Sequence, residues 1–287
     1  MSESYTYRTS VKSSLSDELV NTYAIRPVAG VLVRLLYRTP ITPNQVTVMS
    51  IVAGLIAAAL YLSDAGGSLV AAGLMITAKD VLDSTDGQLA RARQQYSRRG
   101  RFLDSIGDVV VSVAVFGAIG WNLTRATDNP LYGALAAVAC VGIVLRVSYH
   151  VFYQVSYLHL EGKYEKNRII EDITEEDRGG DRLTLALQRI FVAVYGWQDR
   201  LMLRIDVWCR GGALDEQFRQ RWYSDVAGLR LSGVLGYGTE LFILMLFSVA
   251  GRLEWYLLVN VVVMNGVMAA GILYRRLVLR RRLSRPA

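Results

Sequence analysis

Apolar residues run along this chain in blocks of membrane-spanning length, separated by short polar breaks. A helix needs about 20 apolar residues to cross the hydrocarbon core of a bilayer. Six segments reach that length, at roughly 44–63, 67–86, 103–123, 131–155, 228–250 and 254–274. Two more stretches have helical periodicity but are too polar to span. Residues 15–38 set Arg26, Arg34 and Arg38 beside an apolar face, with a break expected near Pro27, and read as a helix lying in the membrane interface. Residues 156–227 form an insert between the fourth and fifth spans. It starts with the polar loop EKNRIIEDITEEDRGGD and continues as RLTLALQRIFVAVYGWQDRLMLRIDVW, which reads as a surface helix under the bundle. The expected fold is all-α, an integral membrane bundle of six transmembrane helices. An N-terminal part, 1–43, carries the interfacial helix, and a six-span domain covers 44–287.

Charge fixes the expected orientation. The breaks after spans one, three and five hold few basic residues, only Arg125 and Arg252 among them. The break after span two holds Arg91, Arg93, Arg98, Arg99 and Arg101, and the C-terminal tail is equally basic. Lys and Arg accumulate on the cytoplasmic side. Six spans put every basic segment on that side, with both termini and the break after span two, whereas five or seven would scatter them. This also accounts for the net charge of +7 without nucleic acid as a partner, in a chain that is 52% hydrophobic. Cys140 and Cys209 have no metal-like spacing and read as inert thiols. MSESYTYRTSVKSSL has no apolar core of a cleavable signal, and a prokaryotic inner membrane is the expected location.

Four aspartates interrupt this apolar pattern within DSTDGQLARARQQYSRRGRFLDSIGD. Asp83 and Asp86 are three apart on the second span, and Asp104 and Asp108 are four apart on the third, so each pair shares a helix face. A short basic hairpin makes the two helices antiparallel neighbours and brings the pairs to one depth. Four facing carboxylates repel, and one or two divalent cations relieve that repulsion. All-oxygen ligation points to Mg²⁺ or Mn²⁺ rather than zinc. Gly87 and Ala90 leave room for a ligand, and Arg91 suits a phosphate.

Written D-x2-D-G-x2-A-R-x8-G-x3-D-x3-D, the segment matches at Asp83, Asp86, Gly87, Ala90, Arg91, Gly100, Asp104 and Asp108. In this it resembles the CDP-alcohol phosphotransferases, also called CDP-alcohol phosphatidyltransferases. TPITPNQVT, with Asn44 and Thr47, is similar to the family's approach to its first span. The resemblance implies a membrane enzyme that moves a substituted phosphate from a CDP-linked donor to an alcohol and releases CMP. It implies two Mg²⁺ or Mn²⁺ ions on Asp83, Asp86 and Asp104, with Asp108 as general base and further metal ligand. Gly87, Ala90 and Arg91, with Asn44 and Thr47, are the implied CDP contacts, and Gly100 a packing residue. The implied partners are a CDP-linked lipid such as CDP-diacylglycerol, a small polar alcohol and the surrounding lipids. Family members are often homodimers, which leaves a homodimer open.

The acceptor is less legible. Arg146, inside the fourth span, is either half of a structural pair with Glu240 or a ligand for a polyol phosphate. Inositol-using members often carry arginine after the last aspartate, where this chain has Val109. The expectation is phospholipid synthesis from a lipid donor, with a CDP-polyol donor such as CDP-inositol as the alternative. A transporter or a silent scaffold would also have six spans. Neither calls for four aspartates at one interface, and no inverted repeat is visible.

Overall fold

The structure, a computed structural model, describes residues 18, 20–162, 171–212 and 215–283. The first residues of the chain, part of the polar insert loop and Arg285 in the tail lie outside this set. Among the described residues all regular structure is helical. A π-helical turn, Asn21–Ile25, leads into α1, Arg26–Leu36. Pro27 sits where the π-helical turn passes into α1, and the backbone stays right-handed helical at Ile25 and Arg26, so the expected break near Pro27 is a change of helical winding and not an interruption. Then follow α2, Pro43–Leu62; α3, Ser68–Ala92; α4, Arg98–Thr127; and α5, Leu131–Leu160. The insert contributes α6, Glu175–Gly179; α7, Arg182–Arg210; and α8, Glu216–Tyr223. A short α9, Val226–Gly233, turns at residues 234–236 into α10, Tyr237–Val249. The last helix, α11, runs over Leu253–Leu283 with two π-helical turns.

Among the described residues five helical segments are long and apolar enough to cross a membrane: α2, α4, α5, the α9–α10 pair and α11. These make the chain an integral membrane protein. The second expected span, α3, has the length, 25 residues, but carries Lys79, Asp80, Asp83, Asp86 and Arg91. Its charges are kept off the outer surface because α3 packs against α1, α2 and α10. Lys79, Asp80 and Asp86 are buried.

Small residues let α2 and α4 approach closely, the usual device where no water drives helices together. A Cβ on Gly54 of α2 would lie 2.5 Å from Val111 of α4, and one on Gly107 of α4 would lie 2.4 Å from Ile51 of α2. Hydroxyls tie α2 to α3 and to α10. Ser50 donates to the Lys79 carbonyl at 3.0 Å, and Tyr61 meets Ser248 of α10 at 2.6 Å.

The hairpin between α3 and α4 is clamped on both flanks. On one side Arg93 donates to the carbonyls of Ile41 at 2.6 Å, Thr39 at 2.8 Å and Tyr37 at 2.9 Å, and also to that of Leu36. It thereby ties the α1–α2 connection to the end of α3. On the other side Arg98 pairs with Asp177 and Glu171, Arg101 with Glu171, and Arg99 with Asp181. The Arg98 guanidinium, with the Thr174 N–H, holds the Asp177 carboxyl well below the usual carboxylate range. These insert contacts are ion pairs near the surface and are individually weak. The Arg93 clamp serves several backbone carbonyls at once. Arg93→Gln is therefore expected to cost about 1–3 kcal/mol, seen as a lower melting midpoint and faster proteolysis across residues 37–42. An unchanged midpoint would contradict the clamp.

Candidate active site

The motif residues converge where α3 ends and α4 begins, flanked by the first turn of α2. Thr42 caps α2 by accepting from the Gln45 N–H, and Pro43 occupies the first turn. This places Asn44 and Thr47 on the face toward α3 and α4. Thr47 donates to the Asp86 carboxylate at 2.5 Å. A Cβ on Gly100 would lie 2.5 Å from the Asn44 side-chain oxygen and 2.9 Å from the Ser97 hydroxyl. Gly100 thus makes room for Asn44, and its own N–H is capped by Ser97 at 2.9 Å.

On α3, Asp83, Gly87, Ala90 and Arg91 follow one face at intervals of three or four. Arg91 folds back over Gly87, where a Cβ would stand 3.4 Å from the guanidinium. On α4, Asp104 and Asp108 point to the same place. Asp83, Asp104 and Asp108 each offer a carboxylate oxygen, and these oxygens lie within 4.8 Å of one another. One oxygen of Asp104 is buried without a hydrogen-bond partner. A buried carboxylate oxygen left unpaired is costly unless a cation serves it. This three-residue oxygen set fits a hard divalent ion such as Mg²⁺ or Mn²⁺. Asp86 stands outside the trio, buried and engaged by Thr47.

Helix α4 starts at Arg98, five residues before the expected start near Leu103. Its N-terminal end therefore falls beside Asn44 and Gly100, and Asp104 lies in the second turn, where the helix dipole has faded.

Lys79 escaped the sequence reading. Its buried ammonium donates to Asp83 at 3.2 Å and to Asp108, and stands 4.6 Å from the centre of the Tyr237 ring. The Tyr237 hydroxyl lies 3.0 Å from that of Ser112 and 3.4 Å from the Asp108 carbonyl. Lys79 precedes Asp83 by one turn, so the helical spacing alone could have flagged it. Tyr237 depends on how α10 packs, which no local pattern announces.

Arg146 does not join this group. Completely buried, it pairs with Glu240 at 3.0 Å and donates to Asn265 at 2.7 Å and to the Asn260 carbonyl at 3.1 Å. Asn260 also donates to Glu240, at 2.5 Å. None of the four aspartates is among its partners, and a structural ion pair linking α5, α10 and α11 accounts for its charge.

A membrane-embedded bundle with a carboxylate trio, an arginine and small residues at one end of a helix pair describes a metal-assisted site for a phosphate-rich molecule. Comparison with known proteins gives the same class. Residues 40–209 match the family profile described as CDP-alcohol phosphatidyltransferase, and the chain belongs to that family. It is 36% identical over 143 residues to the bifunctional IPC transferase and DIPP synthase of Thermococcus kodakarensis, covering 50% of this chain and 31% of that protein. It is 31% identical over 125 residues to the phosphatidylinositol phosphate synthase of Corynebacterium glutamicum, covering 44% of this chain and 54% of the relative. It is also 34% identical over 94 residues to the archaetidylinositol phosphate synthase of Pyrococcus horikoshii, covering 30% of this chain and 48% of that protein. In each case the match spans well under two thirds of the relative.

The Arg146 pair yields a direct test. Arg146→Met leaves Glu240 buried without its cation and should cost about 3–5 kcal/mol, read as a large fall in the melting midpoint. Adding Glu240→Met should recover part of the loss. A single variant of normal stability whose KM for the acceptor alone rises would instead make Arg146 a substrate ligand.

Proposed function

We propose that this chain is a membrane phosphotransferase of lipid synthesis. It moves a phosphatidyl-type group from CDP-diacylglycerol or a similar CDP-linked lipid to the hydroxyl of a small polyol or polyol phosphate, and releases CMP. The observation that carries the reading is the meeting of the Asp83, Asp104 and Asp108 carboxylates within 4.8 Å, inside an uninterrupted family signature. The polyol acceptor is supported by relatives named for phosphatidylinositol phosphate and archaetidylinositol phosphate.

In this reading α3 is the sixth span, its charges turned inward, and the site faces the cytoplasm together with both termini. Helix α1 lies in the interface, and residues 44–287 form the catalytic domain. Asp83, Asp104 and Asp108, with Asp86 beside them, hold Mg²⁺ or Mn²⁺. Bound metal supplies neutralisation of the pyrophosphate and of departing CMP. Gly87, Ala90 and Arg91 receive the CDP moiety on one face of α3, and Asn44 and Thr47 border it from α2. Thr47 does so while orienting Asp86. Asp108 takes the proton of the acceptor hydroxyl as that oxygen bonds to phosphorus and the bond from phosphorus to the CMP oxygen breaks. Lys79 holds Asp83 of α3 and Asp108 of α4 at a fixed separation, a positioning role shared with the Tyr237 ring. Polar substrates reach such a site from water while the lipid chains stay in the bilayer.

The test is CMP release by the purified chain in nanodiscs, with CDP-diacylglycerol, Mn²⁺, and inositol 1-phosphate, glycerol 3-phosphate or free inositol as acceptor. Release with one acceptor is expected. It should stop with EDTA and drop by about 10²-fold or more in Asp108→Asn, the scale of a lost general base. Release from CDP-inositol and not from the lipid donor would overturn the donor assignment. No release from either by folded protein would overturn the catalytic reading.

A further inference from the structure

The insert helix α7 does not hang free below the bundle. Along its 29 residues it crosses the cytoplasmic ends of three membrane helices in turn. Phe191 packs on Phe102 of α4, with ring centres 5.2 Å apart, and Tyr195 donates to the Ser105 carbonyl at 2.7 Å. Gln198 accepts from Ser148 of α5 at 2.5 Å, and the buried Asp206 accepts from Tyr153 of α5 at 3.2 Å. Cys209 and Trp208 then reach α11, through the Ile272 carbonyl and the Arg276 guanidinium. At 1.5 Å per residue, Ser105 lies about 10 Å inside the start of α4, and Tyr153 about 10 Å inside the end of α5. The helix therefore runs across the bundle about two to three turns inside the helix ends, level with Asp104 and Asp108 where it meets α4.

Its outward face has a particular chemistry. Leu183, Ile190, Trp197 and Trp208 are exposed, the two tryptophans at 46% and 50%. Interleaved with them on the same face are Arg182, Arg189, Arg200 and Arg204, all exposed. The helix has only two acids. Asp206 is fully buried, where Trp222 and Arg210 hold it at 2.8 Å and 2.6 Å, and Asp199 is half-buried. A water-facing helix on a protein surface carries both signs of charge and few tryptophans. A face of tryptophan, aliphatic residues and arginine without an exposed acid is that of a helix bedded in a bilayer interface. There arginine stems lie along apolar surface while their heads reach phosphate oxygens.

We propose that the outer face of α7 is embedded in the cytoplasmic leaflet and binds anionic phospholipid headgroups through Arg182, Arg189, Arg200 and Arg204. The insert thereby becomes an interfacial anchor alongside the site. This rests on the membrane embedding of the bundle and is independent of the reaction assigned to the aspartates.

The test uses the full chain in nanodiscs, with Trp121→Phe and Trp255→Phe removing the exposed tryptophans on the spans. Trp197 and Trp208 then report the α7 face beside the buried Trp222. Phospholipid brominated near the headgroup end of its chains is expected to quench a large share of the emission, while aqueous acrylamide quenches weakly. Spin-labelled phosphatidylglycerol is expected to be retained over phosphatidylcholine in this background. The preference should fall by about fivefold or more when the four arginines become glutamine, since each basic residue near an anionic surface adds binding energy. Inorganic phosphate should not compete, because single phosphate ions lack the bilayer contact. Strong acrylamide quenching without bromine quenching would put the face in water. Shielding from both, with cross-links between copies, would make it a protein interface. Bromine quenching without headgroup preference would remove the anionic partner. Each of these three outcomes overturns the proposal.

Discussion

Mutual repulsion among carboxylates in a low-dielectric setting is the constraint around which this bundle is organised. Asp83, Asp104 and Asp108 place oxygens within 4.8 Å of one another, and Asp80 and Asp86 are buried on the same helix as Asp83. Carboxylates so placed cannot all be ionised without positive charge among them. The chain brings its own partial answer in Lys79, which bridges α3 and α4 by holding Asp83 and Asp108. The unpaired buried oxygen of Asp104 shows that this answer is incomplete. In the function proposed above, a divalent cation held by the same oxygen atoms would complete it.

Much of the surrounding architecture serves to hold those charges still. Glycines bring α2 within touching distance of α4, so that Thr47 and Asn44 can border the carboxylates. Arg93 fastens the α1–α2 connection to the end of α3, and the insert fastens the other side of the hairpin through Asp177 and Asp181. Away from the site, Arg146 and Glu240 form a second buried charge pair among α5, α10 and α11. Such a pair contributes little net stability while intact, and removing one partner exposes the full cost of burying the other. The two charge clusters thus have different logic. One balances a single cation against a single carboxylate, and the other sets one lysine against several carboxylates.

The sequence was legible where one periodicity decided the matter. Four long apolar helices fall on their expected segments, three of them running past an expected end, because length and apolarity fix the spanning part of a helix almost alone while its polar extensions are set by packing. The aspartate trio was legible because spacings of three and four put side chains on one face and the short hairpin juxtaposes two helices. Other features depend on packing, which periodicity does not encode. The fifth expected span divides at residues 234–236 into α9 and α10, and α3, expected as a span from its apolar first part, carries too many charges over its full length to stand among the five apolar segments. Arg146 looked equally fit for a ligand or for Glu240 until the packing of α10 and α11 set Glu240, Asn265 and the Asn260 carbonyl against its guanidinium. Lys79 went unremarked beside four aspartates although it shares their helical face. On α7 the periodicity was visible, but which face turns outward followed only from its partners on α4, α5 and α11.

The central claim is that these aspartates form a metal-dependent site for a CDP-bearing molecule. Its most direct test is calorimetric titration of the purified chain with CDP, in the presence and absence of Mn²⁺, repeated with Asp104→Asn. The account predicts CDP binding that requires Mn²⁺ and that is lost or severely weakened in the folded variant. CDP binding of equal strength without metal, or in Asp104→Asn, would contradict it.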